Sequence, residues 1–212
     1  MGASSKPRVL VAGVGNVFLG DDGFGVEVVR RLATANFPPW VRVADYGIRG
    51  MHLAYDLAGG EQELTILVDA TNRGEKPGTV YVVELDTAAP APVGPESESG
   101  PAWLLDAHGM QPDVVLNVVR LLGGDPGTVL LVGCEPATLE EGMGLSPVVA
   151  GAVESAVSVV TTLVAGYRAQ AGGTPVGLGG GGGSRHVPGD PRRGDRDSRR
   201  PPGSGPGRRQ RR

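Results

Sequence analysis

Apolar positions along the chain follow two spacings, and together they sketch an alternating α/β order. Residues 8–14 (Arg-Val-Leu-Val-Ala-Gly-Val) are almost continuously apolar and β-branched, as in a strand covered on both faces of a sheet. Further strands are predicted over 41–46, ending at Gly47, and over 64–70, 78–85 and 128–133. Between them the spacing lengthens. Gly25, Val28, Val29 and Leu32 mark a helix at about 22–35, stopped by Pro38-Pro39, and a short helix runs from Met51 to Ala58. Pro112 suits a first helical position, and Val115, Val118, Val119 and Leu122 give that helix its apolar stripe. A long final helix opens at Pro147 and ends near Gln170. Residues 73–76 are too few for a crossover helix, so the fourth strand should run antiparallel to its neighbour and make the sheet mixed.

The division of the chain follows from composition. Residues 1–170 form one predicted α/β domain, and five consecutive glycines (179–183) open a Gly/Pro/Arg-rich stretch expected to be disordered. The net charge of −3 conceals a split: residues 171–212 hold ten arginines against three aspartates, a balance of +7, leaving −10 on the domain. An acidic domain argues against a nucleic-acid groove, and the basic tail reads as a solvated extension. With Cys134 as the only cysteine, neither an intramolecular disulfide nor a cysteine-built zinc site can form. No apolar run is expected to span a membrane and no signal-peptide core is evident, so the expectation is a cytoplasmic protein.

The chemistry concentrates where strands end. Gly13-Val-Gly15 follows the first strand, but the third glycine of a dinucleotide fingerprint would fall at Phe18, which disfavours a nucleotide. The loop then delivers Asp21 and Asp22 to a first helical turn. Either can cap the helix; since one cap needs one acid, the pair suggests one capping and one functional carboxylate. Asp69 ends a buried strand, where open α/β sheets gather ligands, although a turn aspartate looks the same. Asp45 ends the second strand in the same manner. His108, in Asp106-Ala-His-Gly-Met110, lies between a long irregular excursion (87–102) and the helix at Pro112. A lone loop histidine is commonly just a polar group, yet Asp22, Asp69 and His108 all fall at one predicted rim. Two carboxylates and an imidazole can hold a divalent ion with positions open. Cys134 reads as a core side chain, and neither a Gly-x-Ser-x-Gly elbow nor a His-Glu-x-x-His helix occurs.

Gly13-Val-Gly-Asn-Val-Phe-Leu-Gly-Asp-Asp-Gly-Phe-Gly25 closely resembles the N-terminal signature of the [NiFe]-hydrogenase maturation endopeptidases. Asp45 to Met51, Val68-Asp69-Ala70, His108, and Gly133-Cys-Glu-Pro136 with Gly144-Leu-Ser-Pro147 resemble further family segments in the same order. The resemblance implies a three-layer αβα sandwich with a twisted, mixed five-stranded sheet. It implies an aspartic-type endopeptidase that removes a C-terminal extension from a nickel-loaded hydrogenase large-subunit precursor. Asp22, Asp69 and His108 would then be metal-binding and catalytic positions, and Asp45, Gly47 and Gly50 would contact substrate. Asp-Ala precedes His108 where the family often has Ser-Pro. The nickel would come with the precursor, no organic cofactor is implied, and the protein is expected to act as a monomer. Two rival readings keep the same residues: a non-catalytic, nickel-dependent escort of the precursor, and a nucleotide-binding α/β enzyme.

Overall fold

A computed structural model describes residues 8–60, 62–87 and 112–171. Ten elements follow in chain order: β1 (Val9–Val14), a 3-10 turn (Gly20–Gly23), α1 (Phe24–Leu32), β2 (Val41–Gly47), α2 (Gly50–Ala58), β3 (Leu64–Ala70), β4 (Val80–Leu85), α3 (Pro112–Leu121), β5 (Thr128–Cys134) and α4 (Pro147–Ala171). The strands form one mixed sheet in the order β2-β1-β3-β5-β4. All neighbours run parallel except β4, which is antiparallel to β5. The antiparallel partner of β4 is therefore not β3, its predecessor in sequence. β5 is inserted between them, and the 71–79 loop passes around its carboxyl end.

Burial follows the sequence pattern. The continuous apolar runs β1 and β3 are central and buried at every position. The more polar β2 and β4 lie at the two edges, where one face meets water. Alternate residues of a strand serve opposite faces. Val9, Val11, Ile66 and Val68 pack with α1 and α4, while Leu10, Ala12, Val14 and Leu67 pack with α2 and α3. The result is the expected three-layer αβα sandwich.

A close approach fixes where α1 begins. A Cβ on Gly25 would lie 2.0 Å from the Val68 carbonyl oxygen and 2.4 Å from that of Val14. One on Gly13 would lie 2.4 Å from the Gly25 oxygen. Only glycine lets the helix start directly against the carboxyl ends of β1 and β3. That contact carries the 3-10 turn, with its two aspartates, to the rim of the sheet.

α4 corrects one expectation. Among the described residues, its Pro147–Arg168 stretch has mean hydropathy 1.9, long and apolar enough to cross a membrane by length and composition. Serine, threonine and glycine dilute its outer face, where Glu154 and Arg168 are the charged residues of this stretch. In the fold its stripe of Val149, Val153, Ala156, Val160 and Val164 is buried in the core shared with α1.

Asp21 does not cap its own helix. Neither the 3-10 turn nor α1 has a side-chain cap bond. The Asp21 carboxylate is fully buried and accepts four hydrogen bonds from the segment before α4. The donors are the amides of Ala137 (2.8 Å), Thr138 (3.1 Å) and Ser146 (2.6 Å), and the Ser146 hydroxyl (2.9 Å). Ser146-Pro147 is a regular helix start, so the carboxylate also faces the positive end of α4. The Asp21 amide in turn donates to the Thr138 carbonyl, and Gly20 and Gly142 extend the seam. Burial disfavours the ionised carboxyl, but the bonds from Ser146, Ala137 and Thr138 outweigh it and hold the pKa below the ordinary value.

Asp21→Ala should destabilise the fold by about 3–5 kcal/mol, because four buried donors lose their partner together. Urea unfolding of the variant measures this, and a loss under about 1 kcal/mol would show the seam to be incidental. Since the folded pKa is depressed, the stabilisation is complete above the ordinary carboxylate pKa of about 4 and disappears as pH falls through the folded value. Asp21→Asn should therefore flatten the acid limb of the stability curve.

Candidate functional site

Asp22 follows Asp21 in the 3-10 turn, where successive side chains are set about 120° apart. One carboxylate is thus directed into the seam and the other to the rim. Asp22 is half-buried and accepts a hydrogen bond from the Asn16 amide at 2.6 Å. Gly15 makes the loop tight enough for this: its φ is +122°, and a Cβ there would lie 1.8 Å from the Asp22 carbonyl oxygen.

Asp69 lies near the carboxyl end of β3, the strand beside β1. Asp22 and Asp69 line one cavity of about 670 Å³, together with Asn16, Ile48 and the Thr71–Arg73 strip. Asp69 is 8% exposed. Burial first, and the negative charge of Asp22 second, push its carboxyl up to about 8, against a hydrogen bond from the Ala70 amide. A buried carboxyl beside a second one is short of a positive charge. A cation placed between them would favour the ionised form of both.

His108 lies outside the described residues. Among the described residues no group of three His, Cys, Asp or Glu side chains is arranged to hold a metal; the structure brings Asp22 and Asp69 to one cavity. Asp45 is exposed, its carboxylate 3.8 Å from the Arg30 guanidinium. Gly47 turns the chain at φ +51° and its carbonyl receives the Gly15 amide at 3.1 Å. Gly50 begins α2. None of these three lines the cavity; Ile48, between them, does. Cys134 is a buried core residue, its thiol pushed up to about 11 chiefly by burial, which leaves it protonated and inert.

The part played by Glu135 is a finding of the structure. Its buried carboxylate accepts the amides of Arg73 (2.8 Å) and Gly74 (3.1 Å), and its own backbone is bonded to Gly78 and Thr79. It thereby holds the loop that follows Asp69. The only sequence signal was its position, an acid directly after a buried strand and before a proline.

Comparison with known proteins converges on one family. A profile of the family described as "Hydrogenase maturation protease" matches residues 26–163. The hydrogenase expression/formation protein HupD of Rhodobacter capsulatus is 38% identical over 160 residues, covering 74% of this chain and 71% of HupD. The hydrogenase 2 maturation protease of Escherichia coli is 33% identical over 155 residues, covering 72% of this chain and 88% of that protein. Among solved structures, the hydrogenase maturating endopeptidase HybD from E. coli is similar with a TM-score of 0.59 and 29% identity, over 76% of this chain and 93% of HybD.

The state of Asp69 has a thermodynamic signature. Below about pH 4 the folded and unfolded chains both hold its proton, and it costs nothing. Between about pH 4 and about 8 the unfolded chain releases the proton while the folded chain keeps it, so stability falls as pH rises. Asp69→Asn should therefore be more stable than the parent at neutral pH, by a margin that closes towards pH 4. Urea midpoints across this range test it, and parallel pH profiles for the two proteins would show that the carboxyl is not buried as described.

Proposed function

The chain belongs to the hydrogenase maturation protease family, and from that premise we propose that it removes the C-terminal extension of a nickel-loaded [NiFe]-hydrogenase large-subunit precursor. It recognises the precursor's nickel through Asp22, Asp69 and His108. The observation that carries this reading is the pairing of two carboxylates in one cavity, one of them held protonated first by its burial and second by the other's charge.

The nickel arrives as part of the substrate. Oxygen and nitrogen donors suit a divalent transition ion, and so small a set leaves positions for the precursor's own ligands. Weak, open ligation lets the protein test for the ion without removing it. The ion would polarise the scissile carbonyl, and one carboxylate of the pair takes a proton from the attacking water and returns it to the amine nitrogen released as the peptide C–N bond breaks. The second carboxylate and His108 stay on the nickel side. This is the sense in which the enzyme is of aspartic type. The site acts in a cytoplasmic monomer, and the large-subunit precursor is its partner.

The test is incubation of purified precursor, nickel-loaded or nickel-free, with the full chain, followed by mass spectrometry. Only the nickel-loaded form should lose its C-terminal peptide. Asp22→Asn and His108→Ala should slow that loss by at least about 100-fold while the protein stays folded. A stable complex with no change of mass would instead identify an escort, and cleavage of the nickel-free precursor at an equal rate would remove nickel from the recognition step.

A further inference from the structure

Asp22, Asp69 and Asp113 make the described wall of the cavity acidic, and Arg73 is the one cation among the described residues that line it. The Arg73 amide is fixed by Glu135, and the next amide, of Gly74, is fixed by the same carboxylate. The guanidinium carbon lies 5.0 Å from the centroid of the Tyr81 ring, an arrangement that stacks the cation on an aromatic face. That ring is itself anchored, its hydroxyl donating to the Thr71 carbonyl at 2.8 Å. It also covers Gly133, where a Cβ would lie 2.3 Å from a ring carbon. Among the described residues no carboxylate pairs with the Arg73 side chain, which is exposed. Stacking on a ring fixes the plane of a guanidinium but leaves its edge N–H groups available. That edge is the part which binds a carboxylate in two parallel hydrogen bonds.

We propose that Arg73 is a specificity determinant of this site, receiving a carboxylate of the substrate peptide within the cavity that the metal-facing acids also line. The inference rests on the endopeptidase reading given above. A peptide carboxylate entering this cavity meets repulsion from Asp22 and Asp113, and Arg73 gives it one defined position. The paired aspartates and the single arginine then orient the substrate by charge, its cation at the aspartates and its anion at the arginine. Two carboxylates in a peptide extension have this chemistry: an acidic side chain, and the free C-terminus.

Steady-state cleavage of the purified nickel-loaded precursor by the full chain, read by mass spectrometry, tests the assignment. Arg73→Gln should raise KM by about 10- to 100-fold with kcat changed much less, as for loss of a charge-assisted hydrogen bond made equally before and during reaction. Arg73→Lys, which keeps the charge but not the fork, should fall between the two. Two altered precursors identify the carboxylate. In one, the acidic side chains of the extension are replaced by their amides; in the other, the extension ends in a carboxamide. The precursor lacking the true partner should be cleaved by the parent enzyme with the raised KM, and Arg73→Gln should no longer worsen it. An unchanged KM for Arg73→Gln on a precursor that the parent enzyme cleaves would overturn the inference alone. No cleavage of any precursor by the parent enzyme would overturn the endopeptidase reading, and this inference with it.

Discussion

One buried carboxylate joins the two ends of this fold. Asp21 belongs to the first loop of the chain, and the groups it binds belong to the last loop before α4. Four donors on one charge make a seam that water cannot substitute for without exposing the interior. The seam's rigidity matters more than its strength, because Asp22 is the next residue. In a turn of three residues per revolution, fixing one side chain fixes the direction of the next. The position of Asp22 on the cavity wall is therefore inherited from Asp21.

The second constraint is steric. A parallel sheet with β1 beside β3 brings the carboxyl ends of those strands side by side. Asp69 reaches the rim in this way without help from any loop. Asp22 reaches it only because Gly13 and Gly25 allow α1 to start in contact with the Val14 and Val68 carbonyls. A side chain at either position would lift the helix, and with it the turn that carries both aspartates. Glu135 completes the arrangement from the other side by holding the amides that follow β3. Its neighbours in sequence form the segment that grips Asp21, so one stretch, from Cys134 to Ser146, steadies both walls of the cavity.

The strands and helices were legible because burial imposes a period, and the period survives in the sequence. β1 and β3 were readable as doubly covered strands, and each element lies within a few residues of its expected span. Two things were not legible for the same reason: both depend on residues far apart in the chain. The insertion of β5 between β3 and β4 leaves no local mark on either strand. Asp21 was legible only as a helix-capping acid, since its actual partners are 116 to 125 residues away. The site was legible in proportion to its locality. Asp69 could be named from its strand end, but a doublet of aspartates entering a helix does not reveal which of the two is structural, and only the family resemblance pointed to Asp22. A carboxylate expected to bind its own helix instead binds the segment that leads into α4.

The two aspartates of the N-terminal loop and the one on β3 show how a small domain separates stability from chemistry. Asp21 is held in its ionised form by the hydrogen bonds it accepts, which outweigh its burial, and it contributes to the fold at neutral pH. Asp69 has the opposite environment: burial and a neighbouring anion make its ionised form unfavourable in the protein alone. A fold has no reason of stability to keep such a group, since an amide of the same shape would serve better. Its retention makes physical sense if a positive charge from outside completes it. A divalent ion carried by a substrate is the simplest such charge, and it would be held only while the substrate is present. A closed set of ligands would have the opposite effect, binding the ion for good. The discomfort of Asp69 is thus what makes the proposed contact both favourable and reversible.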